Sequence, residues 1–110
     1  MICDGELGVT PEQLEIVRQG MFRVVNASRG SGHRAKSGQL TIYGKTGTAE
    51  VGSKNQRRNI THFIAFTSFR LRNYAIAVTV EDGEGGGLTC APLAREFFEK
   101  YLIPESVPGN

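Results

Sequence analysis

Apolar residues recur at helical spacing through Leu14, Val17, Met21, Val24 and Val25, while Glu15, Arg18, Gln19 and Arg23 fall between them. This pattern predicts an amphipathic helix with one buried stripe. Thr10, Pro11, Glu12 and Gln13 stand just ahead of it. They supply an N-cap, a first-turn proline and a capping-box glutamine, which sets the predicted helix at 10–28. Residues 29–38 are Gly, Ser and basic residues with almost nothing apolar, the composition of a loop or mobile flap. Three runs rich in β-branched and aromatic residues follow, and strands are predicted at 40–51, 61–69 and 74–80. The second and third are joined only by Arg70 to Asn73. So short a link predicts an antiparallel hairpin, because a parallel crossover needs about a dozen residues or more. The polar stretch Gly52 to Ile60 suits a projecting loop. Phe63 to Phe66 and Ala75 to Val78 are apolar at consecutive positions, which predicts a sheet covered on both sides. After an acidic, glycine-rich turn at 81–87, Leu93, Ala94, Phe97, Phe98, Tyr101 and Leu102 form a second helical stripe. A helix is predicted over 89–103, with Pro92 in its first turn and Pro104 closing it.

The succession of helix, three strands and helix predicts an α+β fold, an antiparallel three-stranded meander packed with an N-terminal and a C-terminal helix. The 110 residues, 39% hydrophobic and 22% charged, fit one domain over 1–110. Thirteen Lys and Arg against eleven Asp and Glu leave a net charge of +2, too balanced for a nucleic-acid partner. The cluster Arg29, Arg34 and Lys36 has no interleaved aromatic residue to stack bases and reads as a solvated loop. There is no apolar run of about 20 residues to span a membrane. Met1 to Glu6 has neither a basic start nor an apolar core, so no leader is expected there. Cys3, His33, His62 and Cys90 lack the close pairing of zinc ligands. Glu81, Asp82 and Glu84 lack the alternate spacing of a calcium loop. No metal or other cofactor is expected.

Candidate chemistry centres on Tyr43-Gly44-Lys45-Thr46-Gly47-Thr48-Ala49-Glu50, where glycines interrupt a strand. Gly44-Lys45-Thr46 matches the end of a phosphate loop, but the required upstream glycine is Gln39 and the intervening residues are β-prone. Lys45-Thr46-Gly47 instead matches the K-T-G element of serine acyl-transfer enzymes acting on D-alanyl peptides and β-lactams. A strand edge with a glycine lets a peptide lie alongside as an added strand. Lys45 offers positive charge to a substrate carboxylate and to proton transfer near a serine. Thr46 and Thr48 offer hydroxyl donors, and the Thr48 N–H can face a developing oxyanion.

The same stretch, followed by His62 to Phe69, Tyr74 to Val80, Glu81 to Gly87 and Ala91-Pro92-Leu93-Ala94, resembles the C-terminal part of the transpeptidase domain of class B penicillin-binding proteins. Gly20-Met21-Phe22-Arg23-Val24-Val25-Asn26 resembles the helix preceding the K-T-G strand in the elongation-type members. The resemblance covers residues 8–103 and implies a fragment of the penicillin-binding/β-lactamase-like fold, in which the K-T-G strand is one edge of a five-stranded sheet. It implies a peptidoglycan D,D-transpeptidase that cross-links stem peptides by serine acyl transfer and is acylated by β-lactams. It places Lys45, Thr46, Gly47 and Thr48 in the substrate and oxyanion site, with Lys45 also catalytic. The implied parent is anchored in the bacterial cytoplasmic membrane with this domain on the cell-wall side, and the chain itself is expected to be soluble.

The family's S-x-x-K is missing. Three residues before each lysine stand His33, Ile42, Val51 and Phe97, and Ser53-Lys54-Asn55 matches S-x-N only formally, after the K-T-G strand rather than before it. Without nucleophile and base the chain alone is expected to be inactive. It needs the N-terminal part of its domain as partner, and self-association is expected through the strand 74–80 edge or an uncovered sheet face. Two alternatives stay open: a stand-alone, non-catalytic module binding peptides or proteins, and part of a serine β-lactamase or β-lactam sensor.

Overall fold

A computed structural model describes residues 8–52, 58–81 and 85–104. Helix α1 spans Pro11–Asn26, a 3-10 turn His33–Ala35, strand β1 Ile42–Val51, β2 Arg58–Phe69 and β3 Arg72–Glu81. A π turn at Gly86–Cys90 leads directly into helix α2, Ala91–Leu102. The chain is an α+β fold with two helices on one antiparallel sheet of order β1-β2-β3.

Helix α1 starts where its cap residues dictate. The Gln13 N–H donates to Thr10 Oγ1 at 3.1 Å and the Thr10 N–H donates to Gln13 Oε1 at 2.9 Å, so two otherwise orphaned donors are satisfied reciprocally. At the other end Asn26 stops the helix and ties it to the sheet, its Nδ2 donating to the carbonyls of Phe22 and Ile42 at 3.0 Å each. The chain then folds back on the helix instead of forming a free flap. The Gly30 N–H donates to Ala27 O and the Gly32 N–H to Val24 O, both at 2.9 Å. Ala35 is buried, and the Ser37 hydroxyl donates to Glu99 of α2 at 2.7 Å. Backbone hydrogen bonds therefore order a stretch whose composition offers almost no apolar anchor.

The sheet register runs unbroken from Ile42↔Thr67 to Val51↔Arg58 and from Ile60↔Glu81 to Phe69↔Arg72. Strand β2 begins at Arg58, three residues before its apolar run, because Arg58 and Asn59 continue the ladder opposite Val51 and Glu50. The Arg58 guanidinium also reaches the Glu81 carboxylate at 3.8 Å. The hairpin between β2 and β3 tightens to Arg70 and Leu71, with φ of 52° and 68°. Two left-handed residues in a two-residue turn suit the right-handed twist of the flanking strands.

One sheet face carries the core. Ile42, Phe63 and Ala65 are buried against Val25, Ala35, Leu40 and the α2 side chains Ala94 and Phe98, while Tyr74, Ile76, Val78 and Val80 pack at its margin. Two polar groups on this face are satisfied internally. The Thr67 hydroxyl donates to Thr41 O at 2.7 Å, and Thr61 Oγ1 lies 3.4 Å from the Cys90 sulfur.

The opposite face differs from the two-sided burial expected of such apolar strands. Phe22 and Arg18 of α1 cover only its β1 end, over the stacked rings of Tyr43 and Phe66, whose centroids are 4.6 Å apart. Beyond them Ile64 is 48% exposed, beside a shallow apolar depression of about 360 Å³ lined by Met21, Ala75 and Ala77 among others. The stripe of α1 is likewise buried only at its C-terminal end. Val25 is buried, but Leu14 and Val17 stand in solvent, and Ile16 is 70% exposed. On α2 the row Leu93, Phe97 and Tyr101 is also open. These apolar surfaces lack a cover among the described residues. No helix among the described residues is long and apolar enough to cross a membrane.

Candidate functional site

Among the described residues β1 pairs with β2 alone, which leaves its other edge without a strand neighbour. The direction of its peptide groups follows from two hydrogen bonds. The Thr41 carbonyl accepts from Thr67 on β2, whereas the Ile42 carbonyl accepts from Asn26 on the far side. Residues two apart in a strand point the same way, and the register contains no bulge between 42 and 51. The N–H and C=O groups of Gly44, Thr46 and Thr48 therefore face the open edge. Those of Lys45 and Gly47 face β2.

Three side chains gather along that edge. Lys45 is exposed, and its ammonium folds round to donate to the Thr46 carbonyl at 2.6 Å. Lys45 forms no ion pair among the described residues, so its charge is available to an anion. Thr46 is half-buried, with Oγ1 2.9 Å from Ser31 Oγ. Thr48 is exposed. Gly47 lies between two close neighbours. A Cβ there would stand 2.6 Å from His62 Cδ2 and 2.9 Å from His62 Cε1, with Nε2 nearer still, so the imidazole lies directly across it. On the other side Gly86 is buried against the Gly47 peptide and the His62 carbonyl. The central peptide of the edge is held from both faces, and Gly47 itself adds no side chain to it.

This arrangement can bind an extended peptide as an added strand through Thr46 and Thr48. It can hold a carboxylate with the Lys45 ammonium and the threonine hydroxyls, and it can aim the Thr48 N–H at an oxyanion. Among the described residues Ser31 is the serine that reaches the site, and its hydrogen-bond partner there is the Thr46 hydroxyl. Ser53-Lys54-Asn55 lies outside the described residues.

Ser31, His62 and Gly86 are site residues that the sequence does not announce. Each reaches the K-T-G strand by a tertiary contact, and the one cue, for Ser31 and Gly86, is the low apolar content that marks 29–38 as a loop and 81–87 as a turn. The other candidate groups fall elsewhere. His33 Nδ1 lies 3.2 Å from Val25 O, a helix-end contact, and Cys90 is buried with Thr61. Among the described residues no three His, Cys, Asp or Glu side chains converge as a metal site would require. Cys3, Asp82 and Glu84 lie outside the described residues. Lys45-Thr46 sits within a strand and not at a helix N-terminus, which removes the phosphate-loop reading.

Comparison with known proteins gives a consistent picture. The family model of the penicillin binding protein transpeptidase domain matches residues 4–99. The peptidoglycan D,D-transpeptidase MrdA of Haemophilus influenzae is 31% identical, over 80% of this chain and 16% of its own length. MrdA of Salmonella typhimurium is 29% identical, over 83% of this chain and 17% of its own length. MrdA of Acinetobacter baumannii is 32% identical, over 91% of this chain and 16% of its own length. The chain thus spans about a sixth of the length of these relatives, 16% or 17%. No solved structure matches at a comparable level.

Proposed function

The chain belongs to the penicillin-binding protein transpeptidase family, and we propose that it forms the substrate-holding wall of a peptidoglycan D,D-transpeptidase. In that role the open edge at Thr46 and Thr48 receives the backbone of a stem peptide. Lys45, Thr46 and Thr48 hold its carboxylate, and the Thr48 N–H is one donor of the oxyanion hole. Gly47 keeps the edge flat. β-Lactams enter the same place as mimics of the D-alanyl peptide.

The nucleophile and its lysine come from sequence outside these 110 residues, which contain no S-x-x-K. Lys45, fixed at the same edge, assists proton transfer at that serine. The open surface around Ile64, continuous with the face from which Lys45 and Gly47 project, is where the remainder of the transpeptidase domain docks. The exposed row on α1 extends that interface. Five-sixths of the relatives' length lies outside the region matched here, enough to supply such a cover. The complete protein works on the cell-wall side of the bacterial cytoplasmic membrane, with its membrane anchor outside this chain.

The observation that carries this reading is the edge at Thr46 and Thr48, without a strand neighbour among the described residues, with the Lys45 ammonium beside it in no ion pair there. The test is acylation of the full-length protein by a fluorescent penicillin. Lys45→Ala should slow it by about ten- to a hundredfold, the scale of a hydrogen bond to a charged group. Acylation as fast in Lys45→Ala as in the natural protein would overturn the assignment.

A further inference from the structure

Resting on that substrate-edge reading, we infer that Ser31 is a positioning residue of the site: it turns the Thr46 hydroxyl into a donor toward the ligand carboxylate. Its Oγ lies 2.9 Å from Thr46 Oγ1. A hydroxyl has one hydrogen and two lone pairs, so only one of the pair donates across this contact. If Thr46 donates to Ser31, Thr46 meets the ligand with lone pairs alone and repels a carboxylate. If Ser31 donates, the Thr46 hydrogen is released to the open edge. An ionised carboxylate accepts and cannot donate, so it selects the second arrangement. The hydrogen bonds then run from Ser31 to Thr46 to the carboxylate, each polarising the next.

The position of Ser31 is built into the fold. Its two neighbours are pinned to the end of α1, Gly30 N–H on Ala27 O and Gly32 N–H on Val24 O, both at 2.9 Å. From the other side Gly87 packs against the Ser31 backbone so closely that a Cβ there would collide with its carbonyl. The same Cβ would lie 3.8 Å from Thr46 Cγ2, so Gly87 bounds both members of the pair. A serine far from the K-T-G strand in sequence is thereby held on its central hydroxyl.

The test compares two ligands on the full-length protein, a penicillin with its free carboxylate and the same penicillin as its carboxamide. The quantity read is the ratio of their acylation rates. Ser31→Ala should lower the carboxylate-to-carboxamide ratio about tenfold, the scale of one hydrogen bond in a chain ending on a charge. Ser31→Thr, which keeps the hydroxyl, should restore it. An equal slowing of both ligands would mark Ser31 as merely structural and overturn the inference. An unchanged ratio in Ser31→Ala, with a lowered ratio in Thr46→Val, would also overturn it while leaving the substrate edge standing. Unchanged ratios in both variants, and in Lys45→Ala, would overturn the substrate-edge reading and this inference with it.

Discussion

Replacing Gly47 by alanine tests how the site strand is held. The added methyl would stand 2.6 Å from His62 Cδ2 and 2.9 Å from Cε1, well inside van der Waals contact, with Nε2 nearer still. Either the imidazole swings away or β1 moves outward. Overpacking of this kind costs about 1–3 kcal/mol. His62 is half-buried on a face with open space beside Ile64, so the ring has somewhere to go. The cost should therefore fall in the lower half of that range. At roughly 2–4 °C per kcal/mol for a domain of about 150–250 residues, the midpoint of thermal unfolding of the transpeptidase domain in the full-length protein should fall by about 2–8 °C. Acylation by penicillin should fall as well, by up to about a hundredfold, because whatever part of the clash the imidazole does not absorb displaces the donor edge, and about 1 Å there is enough for such a loss. His62→Ala removes the obstructing ring, so in the double variant the coupling between the two sites should recover most of the unfolding cost. A Gly47→Ala protein with natural stability would refute the reasoning. So would a double variant whose losses are the simple sum of the single ones.

Replacing Arg70-Leu71 by Asn-Gly should raise stability by about 1–2 kcal/mol in chemical denaturation, because both residues sit at positive φ where side chains are strained; an unchanged midpoint would contradict the turn geometry. Thr10→Ala should cost about 1 kcal/mol of local helix stability, read as faster amide exchange over residues 11–17, where α1 has few tertiary contacts to compensate; unaltered exchange would count against the capping box. The isolated 110-residue chain should form no covalent penicillin adduct by intact mass, since its sequence contains no S-x-x-K; an adduct would show that the nucleophile lies within it. In isolation the chain should also self-associate through the bare surface around Ile64, and Ile64→Ser should weaken that association in sedimentation velocity; a stable monomer at high concentration would sink this expectation.

The two helices, the three antiparallel strands and the α+β class are legible in the sequence because they rest on local signals. Thr10 to Gln13 spells the cap of α1, and the short link after Phe69 leaves the hairpin no other geometry. The family is legible for a similar reason, since Lys45-Thr46-Gly47-Thr48 and the segments after it lie in one continuous stretch. Burial is another matter. The spacing of Leu14 and Val17 shows that α1 is amphipathic, but spacing is silent on whether the covering partner lies within these residues, and both side chains stand exposed. The same holds for Ile64 and Ala77 on the open sheet face, and for Phe97, 50% exposed on α2. The pairing of Ser31 with Thr46 and the imidazole laid on Gly47 arise from packing between segments, which leaves no periodic or spacing mark on either one.

The most direct test of the central claim is a crystal structure of the full-length protein acylated by a penicillin. The account predicts a serine outside these 110 residues bonded to the ligand. The ligand carboxylate should lie within hydrogen-bond distance of Thr46 Oγ1 and Thr48 Oγ1, and its carbonyl oxygen should accept from the Thr48 N–H. A ligand bound away from the β1 edge, or with its carboxylate turned from Lys45 and the two threonines, would contradict it.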